Sequence, residues 1–204
     1  SWVLAGKVHR QEALHTALRF GISQALLHAA ALANRCTAAE IIAAEYDTAI
    51  ATEPVPLLGM CPTPHEFMVE KMIMKRVAIL PHGSFANVAT DLGRGGHKLI
   101  DYAAWLSQLI ARQAGDGYRP AIHLDVYGTI GELFDDDMAK IAGFVGRLAE
   151  AAAPYALYLE TPMIADSRED QIQAFKNLRA ALDRSGHDVK LVADEWCNTL
   201  EDIQ

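Results

Sequence analysis

The 204-residue chain predicts an α/β fold on a parallel sheet, from three observations. Short β-rich runs (VPLLGM from 55, VAILPH from 77, AIHLDVYG from 121, ALYLET from 156 and VKLVADE from 189) alternate with helical stretches such as 95–113, 135–152 and 168–184, the order of repeated strand and helix units. No run is followed by GxGxxG or a Walker-type GxxxxGK(S/T), so the phosphate-cradling turns of open doubly wound sheets are missing. Acids close three of the runs: Asp125, Glu160 and Asp194 lie 35 and 34 residues apart, about one strand, loop, helix and loop. Strands repeated at that interval lie side by side and bring their carboxyl ends to one mouth, the geometry of a (β/α) barrel.

Residues 11–34 carry Leu14, Ala17, Leu18, Ile22, Ala25, Leu26 and Ala29 at the three-and-four spacing of an amphipathic helix. Thr37-Ala38-Ala39-Glu40 has the form of a capping box, in which hydroxyl and carboxylate each satisfy a free backbone N–H at the start of a second, short helix. Four prolines within 53–64 then end the helical pattern, which predicts a junction between a helical part, 1–53, and five strand and helix units, 54–204. KMIMKR at 71–76 reads as a solvated helix edge, and Gly93-Arg94-Gly95-Gly96, which follows no β-rich run, as a turn. A closed barrel needs about eight strands, so the chain is read as a fragment lacking its beginning and its last strands.

Half of the residues are hydrophobic, enough for a sizeable core. The net charge of −8 and the absence of a Lys/Arg run argue against nucleic-acid or anionic-membrane partners. Cys36, Cys61 and Cys197 are widely and irregularly spaced, which suits neither a disulfide framework nor a zinc site. No apolar run approaches the roughly 20 residues of a membrane helix. A soluble, cytoplasmic protein is expected.

Asp and Glu after strands are often plain helix N-caps. Three in register, each ending an apolar run, instead predict one shared site, where a cation must offset their repulsion. Hard carboxylate oxygens suit Mg²⁺, which also keeps water and substrate oxygens in its shell.

LHTALRFGISQALLHAAAL, KMIMKRVAILPH, HLDVYGTIG, LYLETP and LVADEWCNTLEDI resemble, in order and spacing, the 3-methylaspartate ammonia-lyases of the enolase superfamily. The resemblance covers nearly the whole chain. It implies a partial TIM-like barrel preceded by helices of an N-terminal capping domain, and a Mg²⁺-dependent lyase, working as a homodimer, that eliminates ammonia from L-threo-3-methylaspartate to give mesaconate in glutamate degradation. Asp125, Glu160 and Asp194 fall on that family's metal-ligand positions. His82, ending VAILPH, matches its substrate-facing histidine and is the candidate general acid/base.

His123 shares a strand side with Asp125 by the period of two and is read either as support for the site or as interior packing. Glu195 is expected to face away from Asp194. Met60 stands where the family has a substrate-binding glutamine, and a thioether cannot replace an amide's donors. The family's base lysine matches no residue of this chain: Lys190 is at the wrong end of its run, and Lys71 and Lys75 precede theirs. The chain alone is therefore expected to be inactive. A related dehydratase or racemase, or a non-catalytic metal-binding fragment, remain open alternatives.

Overall fold

The computed structural model describes residues 14–61 and 65–197. The chain divides into two compact units, Ser1–Val55 and Pro56–Gln204.

In the first unit, α1 (Thr16–Asn34) and α2 (Ala38–Tyr46) form a helical pair. Residues 11–13 of the expected helix lie outside the described residues, and Leu14 and His15 precede α1. The His15 ring accepts from the Ala17 N–H at 3.2 Å and so caps the helix. Arg35, in the left-handed region at φ 53°, ends it. The capping box forms as expected: Thr37 N–H donates to Glu40 Oε2 at 2.6 Å and Glu40 N–H to Thr37 Oγ1 at 3.2 Å.

The second unit holds a parallel sheet of β1 (Ile79–Ser84), β2 (Ala121–Asp125), β3 (Leu157–Glu160) and β4 (Val189–Val192), ordered as in sequence. The helices are α3 (Glu66–Met74), α4 (His97–Gln113), the short α5 (Thr129–Leu133), α6 (Met138–Ala152) and α7 (Arg168–Ser185). Strand order never reverses, so right-handed crossovers set the connecting helices on one face. The sequence is written for that split. Ile122, Leu124, Leu157, Leu159 and Val189 are buried in the core with Leu106 and Ile110 of α4, Phe144 and Leu148 of α6, and Leu178 and Leu182 of α7. The alternate positions, His123, Asp125, Tyr158, Glu160, Lys190 and Val192, fall on the opposite face.

Among the described residues the sheet has four strands, not the five expected. The expected first strand, from 55, is reduced to a bridge between Leu58 and Ile79. Its main chain still pairs with β1: Ala78 N–H donates to Leu57 O at 3.0 Å, Gly59 N–H to Ile79 O at 2.8 Å and Cys61 N–H to Pro81 O at 2.7 Å. Pro54 and Pro56 lack an N–H and keep the pairing short. Among the described residues no helix is long and apolar enough to cross a membrane.

α7 begins at Arg168 as expected, whereas α4 and α6 begin later than periodicity alone suggests because their caps decide. Asp137 accepts from Ala139 N–H at 3.1 Å and Lys140 N–H at 3.2 Å, and starts α6 at Met138 rather than 135. Gly96, at φ 79°, sets the start of α4, and a Cβ there would run into the Phe144 ring. Gly96→Ala is thus expected to cost about 2–4 kcal/mol in urea unfolding, combining left-handed strain with overpacking. Gly95→Ala, at φ 65° with open space around it, serves as the control and should cost only the strain.

Candidate functional site

The register that splits the sheet into faces also aligns its carboxyl ends. Ser84 pairs with Asp125, Asp125 with Glu160, and Glu160 with Val192, so the two acids are neighbours on one face. Four non-glycine residues in the left-handed region lie at or just beyond these ends: His82 (φ 47°), Tyr127 (φ 46°), Thr161 (φ 45°) and Trp196 (φ 65°). Each costs about 1–3 kcal/mol, which the surrounding contacts must offset. His82 sits in a bulge, skipped by the pairing between Pro81 and Gly83, and such a bulge re-aims a side chain at the edge of a site.

Side-chain contacts fix the loops around that rim. The Thr129 hydroxyl lies 2.6 Å from Val126 O and 3.0 Å from Phe85 O, joining the segments after β1 and β2. Buried Gln171 accepts from Ala165 N–H at 2.7 Å and donates to Met163 O at 2.9 Å, holding the segment after β3 to α7.

The site is a compact group of imidazoles and carboxylates. His82 Nδ1 is 2.8 Å from His123 Nδ1, and the rings stack with centroids 4.7 Å apart. His123 Nε2 is 3.1 Å from Glu160 Oε2, His82 Nδ1 is 3.7 Å from the same oxygen, and His82 Nε2 is 3.9 Å from Asp125 Oδ2. Asp125 accepts from the Tyr127 N–H at 3.3 Å. Asp125 and Glu160 are only 4 % and 8 % exposed.

Burial raises both carboxyls. Glu160 is pushed up to about 7 by burial and then by the charges of Asp125, Asp194 and Glu195. Asp125 is raised mainly by burial. The His123 ring is pushed down to about 4, first by burial and then by His82. A buried carboxyl surrounded by acids fits a cation, because a divalent ion would offset both the burial cost and the neighbouring charges that raise Glu160.

Of the residues expected from sequence, His82, Asp125 and Glu160 meet at this rim. Asp194 is exposed, two residues beyond β4, and its charge is felt at Glu160. Among the described residues, three side chains have ligand atoms all within 4.8 Å of one another: His82, His123 and Glu160. Asp125 adjoins that group, 3.9 Å from His82. Glu195 does not turn away from the site. Thr161 Oγ1 donates to Glu195 Oε2, and the period of two that predicted otherwise stops with β4 at Val192. Continuing the Leu58–Ile79 register sets Met60 opposite Pro81, in line with His123, and the residue is 64 % exposed. Lys190 is tied to Asp188 at 2.7 Å.

His123, Thr161 and Glu195 are the site members that sequence reading placed least well. For His123 the signal was present, two residues before Asp125 on one strand. For Thr161 and Glu195 no periodicity carries the information, since left-handed turns place them.

Glu160, at about 7 in the folded chain against its usual 4.5, binds more protons folded than unfolded between those values, so its contribution to stability falls as pH rises through that window. His123, lowered from 6.5 to about 4, works oppositely over part of it. The stability gained by Glu160→Gln over the unmutated chain is therefore expected to grow from pH 4.5 to 7 and stay level above. Urea midpoints across pH check this, and a difference independent of pH would contradict it.

A singly wound parallel sheet with acids and imidazoles gathered at its carboxyl ends defines an α/β protein of the kind that binds ligands at strand termini. Residues 49–204 match the family model described as "Methylaspartate ammonia-lyase C-terminus", and residues 3–47 the "Methylaspartate ammonia-lyase N-terminus". The chain belongs to the methylaspartate ammonia-lyase family. Methylaspartate ammonia-lyase 2 of Carboxydothermus hydrogenoformans is 48% identical over 191 residues, which are 94% of this chain and 46% of that protein. The Mg complex of beta-methylaspartase from Clostridium tetanomorphum superposes with a TM-score of 0.84 at 42% identity, over 98% of this chain and 49% of that one. The Citrobacter amalonaticus enzyme containing (2S,3S)-3-methylaspartic acid gives 0.85 at 40% identity, over 99% and 49%. The chain spans about half the length of the relatives it matches.

Proposed function

We propose that this chain carries the metal and histidine part of a carbon–nitrogen lyase that eliminates ammonia from 3-methylaspartate to give mesaconate. The observation that carries the reading is Glu160: a buried carboxyl beside Asp125, within reach of the charges of Asp194 and Glu195, and 3.1 Å from His123. Asp125, Glu160 and Asp194 would hold Mg²⁺, in keeping with the Mg complex of the Clostridium relative. A cation held there would supply positive charge to offset what builds on a substrate carboxylate when the adjacent carbon loses its proton. His82 supplies an imidazole at the rim for proton transfer. Its bulge and its contact with His123 hold the ring still, and the apolar face of the sheet anchors the strand ends beneath it.

Sequential strand order with the connecting helices on one face suits one wall of a (β/α) barrel, and the first unit suits a capping domain. The homodimer and the glutamate-degradation role are part of the same proposal. One feature favours a second reading, a related dehydratase or racemase: the residue that the resemblance sets at the family's amide position is Met60, a thioether that is largely exposed.

The test is mesaconate formation from 3-methylaspartate with Mg²⁺ and after chelation. It uses this chain continued by the second half of the Clostridium tetanomorphum relative. Metal-dependent product is expected. A folded chimera that makes none, where the parent enzyme does, would sink the assignment, and turnover of a hydroxy-acid panel instead would favour the second reading.

A further inference from the structure

Two short contacts link three side chains in a line, Glu160 Oε2 to His123 Nε2 at 3.1 Å and His123 Nδ1 to His82 Nδ1 at 2.8 Å. Each contact needs one hydrogen between its two atoms, and a neutral imidazole has one to give, on one nitrogen. An ionised Glu160 only accepts, so His123 must carry its proton on Nε2. Its Nδ1 is then a lone pair. If His82 carried its proton on Nε2, two lone pairs would face each other at 2.8 Å, with His123 only 4 % exposed and little water to separate them. The contact is satisfied when His82 carries its proton on Nδ1. That leaves His82 Nε2 bare, 3.9 Å from Asp125 Oδ2.

We infer that His123 is a positioning residue that fixes His82 as the Nδ1–H tautomer and keeps its Nε2 as a proton acceptor beside Asp125. Turning the His82 ring over would carry its Nδ1 away from the 2.8 Å contact with His123, whose ring lies 21° from parallel to it. Nε2 of His82 and Oδ2 of Asp125 are then two acceptors at a separation that two hydrogens of one ammonium or water can span at about 2.8–3.0 Å each. The use of that acceptor in proton transfer rests on the lyase reading; the tautomer is a property of this chain and is read without turnover.

The experiment is a two-bond ¹H–¹⁵N correlation spectrum of the ¹⁵N-histidine-labelled chain at pH 8.5, with and without Mg²⁺. His82 is expected to show a protonated Nδ1 and a bare Nε2, the reverse of the form an unconstrained imidazole prefers, and His123 a protonated Nε2. In His123→Phe the protonated nitrogen of His82 should exchange from Nδ1 to Nε2. In His123→Gln, whose amide can donate to Glu160 and accept from His82, it should stay on Nδ1. A wild-type His82 protonated at Nε2 overturns the inference, as does an unchanged tautomer in folded His123→Phe. Should the Phe variant not fold, the wild-type spectrum and the Gln variant decide alone. A failed lyase assay alongside the expected tautomer would count against the activity and not against the role of His123.

Discussion

Magnesium at about a hundred times its dissociation constant is expected to raise the melting temperature of the chain by about 5–10 °C at pH 8. Ligand binding to the folded state at that excess adds about 2.7 kcal/mol, and one kcal/mol shifts the midpoint by about 2–4 °C at this chain length. The gain should shrink at pH 5.5, where Glu160, held up to about 7, is protonated and a metal must first displace its proton. Glu160→Gln and Asp125→Asn should abolish the shift, and Asp194→Asn should weaken it. Scanning calorimetry on the chelator-treated chain reads all of these. Stabilisation by Zn²⁺ and not by Mg²⁺ would instead assign the ligand set to the softer group of His82, His123 and Glu160.

The strand alternation was legible because it obeys one simple period. Ile122/Leu124, Leu157/Leu159 and Val189/Leu191 turn to the helices, and His123/Asp125, Tyr158/Glu160 and Lys190/Val192 turn away, so the last three β-rich runs could be placed from hydrophobicity alone. The first run could not, because its prolines cost it donors and left a bridge at Leu58. Spacing brought Asp125 and Glu160 together, since strands in register carry their ends to one level. Beyond Val192 the register lapses and chain turns take over, which is why Asp194 and Glu195 could not be oriented by counting residues. The His82 bulge was equally hidden: nothing in LPHGS announces that one residue drops out of the pairing. The contact between His82 and His123 spans 41 residues of sequence and depends on that bulge.

His82→Ala in the chimera that continues this chain is expected to lower kcat by about 10²–10⁴, the usual contribution of a general acid or base, with a much smaller change in KM. Removing the imidazole also leaves His123 Nδ1 without its 2.8 Å partner, at about 1–3 kcal/mol for a buried unsatisfied group. Stability and turnover must therefore be separated. Unfolding in urea measures the first, and kcat at a temperature well below the variant's midpoint measures the second. A structural role alone predicts that kcat per folded molecule is unchanged once the unfolded fraction is allowed for. A role in proton transfer predicts that the loss persists in fully folded protein and that added imidazole, entering the space left in the half-buried bulge, restores part of it. Unaltered kcat in folded His82→Ala would remove the residue from the chemistry, while leaving the carboxylate site at the ends of β2 and β3 to be judged by its metal.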